Sequence, residues 1–184
     1  MDSTIKVKRK NGLEVPLTLK KLDKSYIEKI IQLQEEILGG IDNPEIFVPT
    51  SKEEFHERFE TDATFLGYVT EENELIALII FLKLGYDPDN YGYDLDLEGE
   101  VLLDIGQVDT VLVKEDFRGN NLQYILGQAA EALAREVGAK ILCATVSPDN
   151  PFSLNNFKKL GYEIKKDKLK YGGVRRYILM KELV

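Results

Sequence analysis

Residues 107–147 read QVDTVLVKEDFRGNNLQYILGQAAEALAREVGAKILCATVS, and the fold turns on this stretch. Its first part, with Val108, Val111, Leu112 and Val113, has the β-branched, apolar content of a strand. A charged turn, Lys114 to Asp116, follows. Arg118-Gly119-Asn120-Asn121 then opens a helix predicted from about Asn121 to Val137. After Gly138 a second apolar strand runs from Lys140 to Val146. Strand, turn, helix and strand make a βαβ unit, whose strands belong in one sheet, usually parallel. The turn before such a helix presents free backbone N–H groups at the positive end of the helix dipole, where an anion is favoured. A phosphate-bearing ligand is therefore the first functional expectation.

Outward from this unit, residues 4–19 alternate about an Asn11-Gly12 turn signal, as a hairpin or a pair of edge strands would. Asp23 is placed to cap a helix of about four turns carrying Ile27, Ile30, Ile31, Leu33, Ile37 and Leu38 at helical spacing, stopped by Gly39-Gly40. Ser51 and Glu54 read as a capping box that starts a short second helix with Phe55 and Phe59 on one face. Strands are predicted at Thr64–Thr70 and Leu75–Leu84. The second is almost wholly apolar, as a strand covered on both faces would be. Residues Val101–Val113 read as one long strand. A short helix from Phe152 to Leu160 and two strands about Gly172-Gly173 complete the chain. The resulting order, ββααββ, loop, βαβαββ, predicts one α/β domain over residues 1–184, a mixed central sheet of about seven strands with helices on both faces.

Composition bounds the function. The 184 residues carry 32 acidic and 24 basic side chains, a net charge of −8, which disfavours nucleic acid and anionic membranes as partners. No apolar run approaches the roughly 20 residues of a membrane span, and MDSTIKVKRKNG lacks the apolar core of a signal peptide. The single Cys143 cannot form an internal disulfide, consistent with a cytoplasmic location, and is expected as a small core residue. His56 is expected in solvent, and no metal site is expected. The segment from Gly85 to Gly99, GYDPDNYGYDLDLEG, is acidic and tyrosine-rich. It mimics calcium-loop spacing only in part and is expected as a solvated or mobile acidic loop.

Two motifs in this order of elements resemble the GNAT family of acyl-CoA-dependent N-acyltransferases. The first is a strand ending in valine, four residues, Arg-Gly-x-Gly-x-Gly and a helix. Here it is Val113 followed by Lys114 to Phe117, then Arg118, Gly119, Asn120, Asn121, Leu122 and Gln123. The second is a short helix in which Asn150, Ser153, Phe157, Gly161 and Tyr162 occupy the family's places. The resemblance implies acetyl-CoA as cosubstrate, with its pyrophosphate on Arg118 to Gln123 and its pantetheine arm along Thr110, Val111, Leu112 and Val113. It sets Asn150, Ser153 and Phe157 beside the same cofactor. It implies direct transfer of acetyl to a primary amine of a small molecule or peptide, and leaves a homodimer open.

Three departures from the family pattern bear on the chemistry. Two loop glycines are Asn121 and Gln123; Asn tolerates positive φ better than most residues. The tyrosine that often protonates the departing thiolate is Phe157, with Tyr124, Tyr162 and Tyr177 as replacements to consider. The strand position of the usual Glu base is Gln107, and Asp109, two residues on, is the nearest acid and the candidate general base; Asp104 or a water chain is the alternative. Gln107 and Phe157 also admit a second reading, a CoA-binding module with weak turnover. The acidic loop, with Tyr86, Tyr91 and Tyr93 interleaved, predicts a cationic acceptor.

Overall fold

The computed structural model describes residues 3–184. The Asn11-Gly12 turn folds strand β1 (Thr4–Lys8) back on β2 (Glu14–Lys21), with Gly12 at φ +85°, a conformation that costs glycine little. Helices α1 (Ile27–Gly39) and α2 (Lys52–Phe59) follow, then strands β3 (Thr64–Val69), β4 (Leu75–Leu82) and β5 (Ile105–Val113). Helix α3 (Leu122–Glu136), strand β6 (Ile141–Val146), helix α4 (Pro151–Lys159) and strands β7 (Glu163–Lys170) and β8 (Val174–Glu182) complete the order.

All these strands join one mixed sheet in the order β1-β2-β3-β4-β5-β6-β8-β7. It has eight strands where about seven were expected, because both arms of the N-terminal hairpin pair in sequence onto its edge. Only β5 and β6 pair in parallel, as the βαβ reading requires. Strand β4 lies at the heart of the sheet and is buried at every position. Ile76, Ile79 and Phe81 pack under α3 and α4 with Leu126, Ala130 and Phe157. Leu75, Leu78, Ile80 and Leu82 pack under α1 and α2 with Ile30, Leu33 and Phe55. Helices thus cover both faces, and each such side chain contributes about 1.5–3 kcal/mol by leaving water.

Two boundaries differ from the sequence reading. Asp23 caps a 3₁₀ turn, Lys24–Tyr26, rather than α1 itself; its carboxylate accepts from Ser25 N at 2.8 Å. The long strand expected from Val101 begins only at Ile105, because residues Gly99–Asp104 form a 3₁₀ helix. That turn sets Leu102 and Ile105, three residues apart, on one side, where both pack with Tyr91 and Cys143.

The feature that positions the site is where β5 leaves β6. Ile105 to Val108 pair with Ile141 to Ala144, and there the ladder ends, while β5 runs on to Val113 and β6 to Val146. Against β4 the register passes from Ile80–Thr110 to Phe81–Val108, so Asp109 is the extra residue of a β-bulge. A bulge bends its strand and re-aims the side chain it carries.

Candidate active site

A cleft of about 540 Å³ opens where the two strands part. Its floor includes Gln107, Asp109, Thr110 and Val111 of β5 and Thr145 and Val146 of β6. Of the sequence-predicted residues, Asp109, Thr110, Val111, Asn150, Ser153 and Phe157 line it together. Leu112 faces the other way into the α1–α2 core, and Val113 packs against the core under α3.

Asp109 is the most constrained acid of the cleft. Its carboxylate pairs with the guanidinium of Arg58 and accepts the Thr110 hydroxyl at 2.9 Å. Burial pushes the carboxyl above the ordinary carboxylate range, and the opposing pull of Arg58 does not cancel it. Arg58 reaches this point from α2, whose capping box at Ser51 and Glu54 is formed as the sequence implied. Phe55 anchors that helix in the core. The wall before α2 is fixed from below by Gln34 of α1, whose side-chain amide exchanges two hydrogen bonds with the backbone of Thr50, at 2.8 and 3.0 Å.

Gln107 has no free role as a base. Its Oε1 accepts from Tyr91 N at 2.9 Å and its Nε2 donates to Asp89 O at 3.3 Å, which ties the acidic loop to the sheet. That loop is solvated in part, as expected, with Tyr86 to Asp89, Tyr93, Asp96 and Glu98 exposed, but its middle is packed. Asn90 is buried and donates to Gly85 O at 2.8 Å and Leu102 O at 3.2 Å, and Tyr91 is 3% exposed. Asp94 receives both Lys168 and Lys170 at 2.8 Å, and Asp96 pairs with Lys166. Asp94 and Asp96 are therefore spent on lysines of β7, and neither is left as a lure for cations.

Two tyrosines line the cleft, Tyr91 of the acidic loop and Tyr171, which the sequence did not single out. The Tyr91 and Tyr171 hydroxyls are 2.8 Å apart, and Tyr171 also meets Thr145 Oγ1 at 2.9 Å. Burial pushes both phenols up, and the nearby Asp109 carboxylate adds to this. Tyr171 sits at φ +51°, in the left-handed region where a bulky residue is rare. The tyrosines weighed from sequence lie elsewhere. Tyr162 is buried with its ring edge-on to Phe157, centroids 5.1 Å apart, and burial drives its phenol far up. Tyr124 of α3 and Tyr177 of β8 are partly buried and pack against the core. Phe157 is both core and cleft wall. Cys143 is fully buried, its thiol pushed up to about 12 by burial, as a core residue's would be.

The turn opening α3 lies beyond the cleft end formed by Ser153. Gly119 has φ +89° and Asn121 φ +57°, so Asn121 takes the left-handed conformation that the family pattern gives to glycine. The Asn121 side chain makes no capping hydrogen bond to the first-turn N–H groups of α3. Side chains here are occupied. Asn120 exchanges hydrogen bonds with the Lys8 backbone at 2.9 and 2.7 Å, and Gln123 Nε2 donates to Ser153 Oγ at 2.8 Å. Asn150 caps α4 through Ser153 N at 3.2 Å. The turn is braced further by Arg9 on Asp116 at 2.5 Å and Lys10 on Glu115 at 2.8 Å. Arg118 is exposed and lines a second, smaller concavity with Lys10, Glu115 and Asp116. Arg118 to Gln123 thus stand apart from the cleft floor, linked to it through the Gln123–Ser153 bond.

Some of these missed residues left traces in sequence. Arg176 falls in phase with Ile178 on the inward face of β8, a charge where the alternation calls for an apolar residue. Tyr171 precedes the Gly172-Gly173 turn, but nothing local says that its ring turns inward. Arg58 lies three residues from Phe55 on α2, and its partner is set only by how α2 docks.

Residues 27–162 match the model of the acetyltransferase (GNAT) family, and the chain belongs to that family. Among solved structures it is similar to a GNAT-family acetyltransferase from Listeria monocytogenes, at 20% identity over 97% of this chain and 100% of that one, TM-score 0.65. A GNAT-family acetyltransferase from Streptococcus pneumoniae aligns at 14% identity over 91% and 99%, TM-score 0.67. An N-acetyltransferase from Staphylococcus aureus aligns at 12% identity over 90% and 98%, TM-score 0.68. At these identities the likeness is one of fold. None of the curated proteins matches the chain.

Proposed function

We propose that this protein transfers an acetyl group from acetyl-CoA to a primary amine, within a single domain spanning the chain and in the cytoplasm. The observation that carries this reading is the parting of β5 and β6 beyond Val108 and Ala144, with Asp109 bulged into the cleft between them. The residues present fit the cosubstrate. The unpaired side of β5 from Asp109 to Val113 offers backbone groups to an amide-bearing arm, and the amides from Gly119 to Gln123 offer an anion site. Acetyl-CoA supplies a thioester activated toward nucleophiles.

Asp109 accepts the proton that the attacking ammonium or amine must lose, and its raised pKa makes it a better acceptor than an ordinary carboxylate. Arg58 orients that carboxylate. Backbone N–H groups on the free edge of β5 stabilise the charge growing on the carbonyl oxygen. As the N–C bond forms and the C–S bond breaks, Tyr171 donates its proton to sulfur, taking the role that Phe157 cannot fill. Thr145 and Tyr91 hold its hydroxyl and pass on the replacement proton. Asp109 supports the base role better than Asp104, which is paired with Lys140 at 2.9 Å and does not line the cleft.

The test is thiol release from acetyl-CoA with a mixed panel of amines. Release that depends on an amine is the expected result. Saturable CoA binding without release from any amine would instead identify a binding module.

A further inference from the structure

Three cations line the cleft, and two of them are ion-paired: Arg58 with Asp109, and Lys170 with Asp94, which it shares with Lys168. The third, Arg176, is only 4% exposed and has no carboxylate within ion-pair distance among the described residues. Its Nη1 donates to the Arg175 carbonyl at 2.8 Å, and its guanidinium lies 5.9 Å from the centroid of the Tyr171 ring. The remaining nitrogens make no hydrogen bond with any described residue. Yet among the described residues no sealed side-chain nitrogen or oxygen lacks a partner, so these nitrogens open onto the cleft. Burial lowers the pKa of this arginine, and Tyr171 and Glu45 oppose the shift without cancelling it. A guanidinium has five donors in a planar fork and remains charged. Holding such a group buried without a counter-ion is costly, which marks it for a ligand that brings one.

Its position says which ligand. Tyr171, against whose ring Arg176 lies, bonds to Thr145, the residue after the last β6 position paired to β5. On β8 Arg176 lies just past the Val146–Tyr177 pair. Through the Tyr171 ring it borders the part of the cleft where Tyr171 meets Thr145, next to the Asp109 bulge. The amides opening α3 do not line the cleft and are joined to it through the Gln123–Ser153 bond. The phosphates of a nucleotide cosubstrate have that other anchor. We propose that the acceptor is an amino-acid-like compound, a small amine that also bears a carboxylate or similar oxyanion, with the oxyanion seated on Arg176 and the amine turned to Asp109. This rests on the amine-acetylation reading of the same cleft and revises the expectation of a purely cationic acceptor. The charges lining the cleft suit a zwitterion: Asp87 and Asp89 form no ion pair among the described residues, and Arg176 supplies a cation.

The test uses the full-length protein and the proteinogenic L-amino acids, each beside the amine left by removing its carboxylate, with aminomethylphosphonate as a second oxyanion. Thiol release from acetyl-CoA and calorimetric binding of the same compounds are both measured. Carboxylate-bearing members should be favoured, and Arg176→Gln should raise their KM and Kd roughly 10- to 100-fold, the worth of a charge-assisted pair. The KM for acetyl-CoA should not move. Arg176→Lys, which keeps charge but loses the fork, should restore only part of the affinity, and both variants are checked for an unchanged unfolding transition. Equal or better use of the decarboxylated amines, no effect of Arg176→Gln, or no binding of any carboxylate would overturn the inference and leave acetylation standing. Arg176-dependent binding without thiol release would have the opposite meaning: the oxyanion site stands and acetyl transfer falls.

Discussion

Asp109 is held by two opposing influences, and the balance sets its use. Removal from water raises its pKa, while Arg58 and the Thr110 hydroxyl favour the ionised form; burial wins. A general base must be ionised, so kcat/KM should fall as pH drops through a pKa above the ordinary carboxylate range, and Asp109→Asn should remove that acid limb. The same substitution keeps the size of the side chain and should lower turnover about 10²–10⁴-fold with little change in acetyl-CoA affinity. A rate that survives would pass the role to solvent. Tyr171 has the complementary requirement, because an acid must be protonated. Its raised pKa keeps it so throughout the neutral range, so no alkaline loss should occur until well above pH 7. Tyr171→Phe should lower kcat by about 10²-fold or more while leaving acceptor KM nearly constant, read by steady-state kinetics. A change in KM alone would make Tyr171 a wall of the cleft and no more.

At the scale of elements, the turn into α3 and the strand β5 do most to set the site. Gly119 stands at φ +89°, which proline cannot adopt, and proline also lacks the N–H. Gly119→Pro should therefore abolish the rise in melting temperature that acetyl-CoA gives the parent protein. An undiminished rise in a folded variant would remove the phosphate from this turn. On β5, a Cβ at Gly106 would stand 2.5 and 2.6 Å from ring atoms of Phe81, so Gly106→Ala should cost about 1–3 kcal/mol of stability, measured by urea unfolding. The elements were legible in the sequence where one periodicity dominated: the apolar run of β4, the capping box of α2, and the βαβ unit about Arg118-Gly119. They were less legible where tertiary contacts overrode local pattern. Leu102 and Ile105 wind into a 3₁₀ turn because Tyr91 packs there, and the acidic loop is ordered because β7, some 70 residues on, brings lysines to Asp94 and Asp96. Of the candidate site, Asp109 and the α4 residues could be placed from the strand and helix they lie on. Arg58, Tyr91, Tyr171 and Arg176 converge from four separate elements, and spacing along the chain carries no sign of that.

For the molecule as a whole, the sheet supplies the rigid frame and the divergence of its parallel pair supplies the space. Helices on both faces hold β4 and β5 in place, so the free edge beyond Val108 is presented without a cost in ordering when a ligand arm lies along it. Among the described residues no helix is long and apolar enough to cross a membrane. The central claim is spatial, that one cofactor lies along the free edge of β5 with its thioester beside Asp109, and a crystal structure of the protein with acetyl-CoA tests it most directly. The expected result places the pyrophosphate on the amides from Gly119 to Gln123, the pantetheine arm along Thr110 to Val113, and the thioester between Asp109 and the Tyr171 hydroxyl. A pyrophosphate bound away from the α3 turn, or a thioester outside the cleft between β5 and β6, would contradict it.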